Sequence, residues 1–465
     1  MAFADFELDR SIAPAISQFV ESRFQDAIQD LTEMVAIPGI AWPAFDANNL
    51  ELSAVSVVDR LKALEFFDWV EIRKAPKPSG ELGAPAVIAR RQGANGRPHV
   101  LLYAHHDVQP PGDSALWKTE PFVATKIGDR LFGRGASDDK SGIITHLYSI
   151  MALKELAQKV DVGITVFIEG EEEAGSESFE NFLKENSEDL KADIIIVADS
   201  GNWTTETPAL TTSLRGMVSQ TFTVSTMDHA VHSGMFGGPL PDAMTAMIKL
   251  LASLSDDQGN VALEGLGSVA VDDLPYNESD FREQAGLLDG VQTIGSKGLL
   301  QQNWGEPAVT VIGIDAPSVA LSSNTAQPSI TARVSLRISP SEKPDHALQL
   351  LRQHLRDNAP FGAKVEFGHS EKGPGYLAKE GWASQIARLA FTEFWPNPAV
   401  NIGIGGSIPF ISTFAELYPH AQILVTGVEE PDSRAHSPNE SQHLPTLKRA
   451  ICAQALLLLH GNSIS

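Results

Sequence analysis

Between 11 and 37, apolar residues recur at three- and four-residue spacing: Ile16, Phe19, Val20, Phe24, Ile28, Leu31 and Val35. That is the stripe of an amphipathic helix, and Pro38-Gly39 ends it. A second helical pattern over 50–64 precedes strand-like stretches at 69–74 and 86–90. The grammar then changes. Val100-Leu101-Leu102-Tyr103-Ala104 is a short, continuous apolar run, as expected of a strand covered on both faces. It delivers His105-His106-Asp107-Val108 at its end. Three more runs behave alike: 164–168 leads to Glu169, Glu171, Glu172 and Glu173, 194–198 to Asp199, and 423–426, after a loop, to His436.

Helical patterns between several of these runs predict an α/β domain with a mostly parallel sheet covered by helices. In such sheets ligands collect in the crevice beyond the carboxyl ends of the strands. Four strands that end in metal-ligand residue types therefore predict one shared site. The middle of the chain reads differently. Strands at 217–225, 308–314, 330–338 and 363–367, with helices at 239–254 and 344–356, give the β-α-β-β-α-β order of a ferredoxin-like α+β fold. A loop-rich section is expected at 255–305. Alternation in Gln220-Thr221-Phe222-Thr223-Val224 suits an antiparallel sheet with helices on one face. The expected organisation is a discontinuous catalytic domain, 1–213 and 369–465, with an inserted lid domain at 214–368.

Composition narrows the function classes. With 465 residues, 43% of them hydrophobic, the chain can bury large cores and reads as soluble and globular. A formal charge of −24 argues against nucleic acid or an anionic membrane as partner, since both attract basic surfaces. The single cysteine, Cys452, excludes an intrachain disulfide and thiolate metal sites, which leaves His, Asp and Glu as strong ligands. No uncharged apolar run reaches the ~20 residues of a membrane helix. The first ten residues carry Asp5, Glu7 and Asp9 rather than a signal-peptide pattern, so a cytoplasmic protein is expected.

The candidate chemistry centres on Gly133-Arg134-Gly135-Ala136-Ser137-Asp138-Asp139-Lys140-Ser141-Gly142. Two adjacent carboxylates sit in a loop of small residues ahead of a helix-like run, where helix-start amides tolerate negative charge. A carboxylate has two oxygens, enough to bridge two cations. Without thiolates, a two-cation hydrolytic site needs His and carboxylate ligands, one carboxylate shared, and a further carboxylate free to move protons. His105, Asp138, Glu173, Asp199 and His436 supply five ligands, and Glu172 is left over as the base. Taken singly, a strand-end histidine is usually just hydrogen-bonded, and an acidic run is usually a solvated turn. All of them falling at strand ends or in glycine-rich loops outweighs that plainer account.

On these motifs the chain resembles the zinc-dependent dipeptidase, aminoacylase and deacylase superfamily, which includes carnosinase-type dipeptidases, carboxypeptidase G and succinyl-diaminopimelate desuccinylase. Ala104 to Pro111 is similar to the first ligand motif, 117–122 with 133–142 to the bridging-aspartate motif, and Glu169 to Ser176 to the base-plus-ligand motif. Asp199-Ser200, Leu214-Arg215-Gly216, His232-Ser233-Gly234, Gly405-Gly406-Ser407-Ile408-Pro409 and Ala435-His436-Ser437-Pro438-Asn439-Glu440 complete the likeness.

The resemblance implies two zinc ions per subunit, with Mn2+ or Co2+ as substitutes. His105 and Asp199 would hold one, Glu173 and His436 the other, and Asp138 would bridge. Asp107 would orient His105 through the other ring nitrogen, and Glu172 would act as general base. The Asp138–Asp139 peptide bond is expected to be cis. A homodimer through the lid domain is implied, with His232 reaching the partner's site as an oxyanion donor and Asn324 beside it. Arg337, Gly406 and Ser407 would grip a substrate carboxylate. His106 is not expected to be a ligand. Ala104 stands where glycine is more usual and His106 where tyrosine is common, which leaves the side-chain preference open. The reading is a cytoplasmic dipeptidase acting on small peptides. The alternative is an N-acyl-amino-acid deacylase on the same machinery, and a further rival is a non-catalytic scaffold, against which the retained Glu172 speaks.

Overall fold

A computed structural model of the chain describes residues 8–406 and 409–463. Residues 1–7, part of the start read above as lacking a signal-peptide pattern, and Ser407 lie outside that range. Two compact units emerge: one comprises Met1–Thr211, Ala378–Asn401 and Thr413–Ser465, the other Thr212–Leu377 and Ile402–Ser412. No helix among the described residues is long and apolar enough to cross a membrane.

The sheet of the first unit runs Trp69–Arg73, Ala86–Arg91, Gly163–Glu169, His99–His105, Ile194–Val197, Gln422–Val425, and continues into Ala209–Leu214, the strand within which the chain leaves this unit. The four strands from Gly163–Glu169 to Gln422–Val425 are parallel. Those flanking them pair antiparallel. Gly163–Glu169 and Ile194–Val197 are buried at every position, which is why they read as unbroken apolar runs rather than alternating ones. The helix Lys140–Leu156 is buried almost all round, as a helix at the centre of a domain must be. It packs against Ala13–Val35 and Leu444–Ser463. The first of these buries Ile16, Val20, Leu31 and Val35 of the stripe seen in the sequence, and half-buries Phe19, Phe24 and Ile28.

In the second unit the strands lie in the order Lys364–Gly373, Gly216–Ser225, Ser329–Ile338, Ala308–Asp315, all antiparallel. In chain order that is fourth, first, third, second. Helices Ala243–Ala252 and Pro344–Asp357 supply Ala246, Met247, Leu250, Leu348 and Leu351 to a core with Phe222, Val224, Val334 and Leu336. Three details differ from the expectation. The section over 255–305 contains a helix, Glu278–Ala285, which buries none of its residues and so carries no apolar stripe to announce it. The last strand extends past Phe367 to Gly373, and the register shift between Phe367 and Ser370 breaks the alternation that marks it in the sequence. Finally, Gly405 and Gly406 belong to this unit rather than to the first.

Candidate metal centre

The parallel strands of the first unit end at one place. At the close of His99–His105, the backbone N–H of His105 donates to Asp139 Oδ2 (3.2 Å). Its ring Nδ1 lies 3.1 Å from the Asp107 carbonyl and 3.4 Å from Asp107 Oδ1. That turns Nε2 toward Asp138 Oδ1 at 3.0 Å and Asp199 Oδ1 at 3.9 Å. The second oxygen of Asp138 is 3.0 Å from His436 Nε2, which in turn lies 3.2 Å from Glu173 Oε2. Two donor clusters result: His105 with Glu172 and Asp199, and Asp138 with Glu173 and His436. Asp138 offers one oxygen to each imidazole. The geometry thus joins Glu172 to a donor cluster, a placement not anticipated for a base.

Several contacts hold this arrangement. Glu440, buried, accepts from Arg134 Nη1 (2.7 Å) and from the backbone N–H groups of Gly135 (3.0 Å), Ser137 (2.9 Å) and Asp138 (3.1 Å). The segment that carries His436 therefore also shapes the loop that carries Asp138, whose bond to Asp139 is cis. Lys140 Nζ donates to the carbonyls of Met34 and Ile37 (2.9 Å each), at the negative end of the first helix. A side chain at Gly142 would collide with the Asp139 carboxylate and the Ala198 carbonyl, and one at Gly427 with the backbone of Ser200. Glycine there lets the loops close on the strand ends. The Asp107 carboxylate accepts from the N–H groups of Glu172 (3.2 Å) and Glu173 (3.1 Å), and Gln109 Nε2 donates to Glu173 Oε2 (2.7 Å). His436 sits at φ 61°, uncommon for a non-glycine residue.

These motifs span most of the chain, and the pattern of peptidase family M20/M25/M40 matches residues 101–460. The chain belongs to that family. The cysteinylglycine-S-conjugate dipeptidase of Corynebacterium striatum is 31% identical over 389 residues, 81% of this chain and 84% of that protein. The beta-Ala-His dipeptidase of Rattus norvegicus is 27% identical over 453 residues, 91% of this chain and 90% of that protein. The crystal structure of human carnosine dipeptidase 1 shares the fold, with a TM-score of 0.74 over 98% of this chain and 99% of that one, at 22% identity.

In this M20 metallopeptidase the other expected site residues are placed as follows. His106 is buried with Nε2 on the Pro85 carbonyl (2.8 Å), outside both clusters. His232, Asn324, Arg337 and Gly406 belong to the second unit. His232 is exposed, and its Nδ1 accepts from Gly234 N–H (3.0 Å). The exposed Asn324 accepts from Ser233 N–H through its carbonyl (2.9 Å). Arg337, half-buried, stands opposite Met217 and Ala308 in the sheet. Glu440, within the motif around His436, is a further residue that builds the centre. Its position four residues after His436 was visible, its reach back to 134–138 was not.

The donor set fits divalent cations. Burial pushes the Glu172 carboxyl up to about 8, with the charges of Glu169, Asp107 and Glu173 adding to it. Glu173 and Asp199 are raised for the same reasons, Asp199 strongly. Hydrogen bonds to Asp138 and Glu173 raise the His436 imidazole to about 11. More carboxylates converge than can ionise together without positive charge among them, and imidazole with carboxylate is a ligand set suited to zinc. Without cations, protons supply that charge. Because Glu172 and His436 have folded-state pKa values above their ordinary ones, their stabilisation is complete at low pH. It is lost as pH rises through about 8 for Glu172 and about 11 for His436. Cations compete with those same protons. The melting-temperature gain on adding zinc to metal-free protein is therefore expected to be larger at pH 8 than at pH 6. Equal gains in differential scanning fluorimetry would contradict this electrostatic account.

Proposed function

We propose that the peptidase hydrolyses dipeptides bearing a free C-terminal carboxylate, using two zinc ions with Asp138 as the bridging ligand. The observation that carries this is the division of the two Asp138 oxygens between His105 and His436. His105 and Asp199 would hold one ion, Glu173 and His436 the other. Two such cations supply Lewis acidity and make a water acidic enough to ionise near neutral pH. Glu172 takes the proton of the attacking water and passes it to the leaving nitrogen. Its raised affinity for a proton suits that double duty. Asp107 keeps the His105 ring oriented and holds the Glu172–Glu173 backbone in place. Arg337, with Gly406 and Ser407, binds the substrate carboxylate. Relatives named for cysteinylglycine conjugates and for beta-Ala-His support a dipeptide rather than an N-acyl amino acid. Comparing kcat/KM on dipeptides and on N-acetyl amino acids tests this. Faster turnover of the acetylated set would move the assignment to a deacylase.

We further propose a homodimer through the inserted unit, in which the partner's His232 donates to the oxyanion of the tetrahedral intermediate. Ala308–Asp315 is an edge strand of its sheet, and Val311, Ile312 and Ile314 on it are exposed. An apolar edge of this kind invites pairing with a second copy. Ile312→Lys is expected to give a monomer by sedimentation and to lose activity with it. A fully active monomer would remove His232 from the mechanism.

A further inference from the structure

The inserted unit carries an open cavity of about 520 Å3 that none of the proposed chemistry uses, within the size range of small-molecule pockets. The 255–305 section forms much of its wall. Val261, Phe281, Leu287, Leu299 and Val309 give it an apolar lining. Several polar groups around it are already engaged. Asn260 bonds to Asp256 and Ser296, and Gln302 Nε2 donates to the Lys297 carbonyl (2.8 Å). The Arg215 guanidinium donates to the carbonyls of Gly405 (3.0 Å), Gln302 (3.3 Å) and Glu306 (3.3 Å). The wall left to a ligand is more apolar than polar, with Gln292, Thr293 and Asn303 as its remaining polar side chains.

Its position gives it a role. Arg215 and Asn303, both on its wall, press against Gly405. A Cβ there would stand 2.8 Å from Arg215 Nη2 and 3.0 Å from Asn303 Oδ1. On another side, Ala308 lines the cavity and is the register partner of Arg337. Arg337 and Gly406 are assigned above to the substrate carboxylate, and Gly405, next to Gly406, and Ala308, opposite Arg337, both adjoin this one cavity.

We infer that the cavity receives the side chain of the substrate's carboxylate-bearing residue and selects a bulky apolar one, such as leucine or phenylalanine, over glycine. This rests on the reading of Arg337 and the Gly406 turn as the carboxylate anchor. Each methylene accommodated in an apolar pocket contributes a discrimination on the order of 10-fold or more, and the Arg215 guanidinium ties the turn to the cavity wall through the Gly405 carbonyl.

The test uses full-length, zinc-loaded protein and measures kcat/KM for alanyl-glycine, alanyl-leucine, alanyl-phenylalanine and alanyl-phenylalanine amide. We expect alanyl-phenylalanine to exceed alanyl-glycine by at least about 10-fold, and Leu299→Trp, which narrows the cavity, to lower that ratio. Phe281→Ala, which removes lining without adding bulk, should lower it too. Free phenylalanine should inhibit the wild type far better than glycine. Alanyl-glycine turned over as fast as alanyl-phenylalanine, or a ratio unmoved in both variants, overturns the pocket assignment while leaving the carboxylate anchor intact. The amide turned over as fast as the acid overturns the anchor itself, and the pocket falls with it.

Discussion

Glu172→Gln is expected to lower kcat by about 10²–10⁴-fold, the usual contribution of a positioned general base, while the zinc content stays that of the wild type. The substitution keeps the side chain's size and its backbone N–H on Asp107, so the strand-end loop has no reason to move. It removes only the capacity to accept and return a proton. The wild-type kcat should also rise with pH through one ionisation lying between the ordinary value of 4.5 and about 8, because burial and neighbouring carboxylates raise Glu172 and bound cations would pull it back down. That limb should vanish in the Gln variant. A decisive contrast is available because Glu172 also lies in a donor cluster with His105 and Asp199. If zinc is lost together with turnover, Glu172 is a ligand, and the proton carrier has to be sought elsewhere, with buried Glu169, raised to about 7, as a candidate.

How much of this centre was legible in the sequence depends on the length scale of the contact. The four parallel strands showed themselves because burial on both faces leaves no polar position to interrupt them, as in Ile194–Val197. The convergence of His105, Glu173, Asp199 and His436 then followed from topology, since parallel strands deliver their carboxyl ends to one edge. What could not be read was any contact set by loop conformation. Glu440 reaches the 134–138 loop through three backbone amides, and amides carry no residue identity to betray a partner. Lys140, a charged residue, is fully buried because two helix-end carbonyls receive it, an arrangement that no periodicity encodes. The helix Glu278–Ala285 is hidden for the opposite reason: it buries none of its residues fully and turns only the half-buried Phe281 toward the cavity, so its pattern is that of a polar loop.

Asp138→Ala is expected to have the largest effect on metal. It removes the one side chain that faces both imidazoles at 3.0 Å, so His105 and His436 each lose the carboxylate oxygen that faces them in a single change. His105→Ala or His436→Ala strips only one cluster. Zinc affinity at the two sites should therefore fall together in Asp138→Ala, by more than the 10- to 100-fold typical of losing an outer partner of a ligand, and by isothermal titration the two binding events should weaken in parallel. Glu440→Gln gives the comparison that isolates orientation from ligation. It leaves Asp138 in place but makes one of the two Glu440 oxygens an amide donor facing N–H groups that also donate. A buried donor set against donors is left unsatisfied, and it also drops the charge partner of the buried Arg134. Its zinc affinity should decline by about 10- to 100-fold, less than in Asp138→Ala. Should Asp138→Ala weaken only one binding event, the carboxylate serves a single ion, and the shared-ligand geometry on which the reaction was built would have to be abandoned in favour of two independent sites.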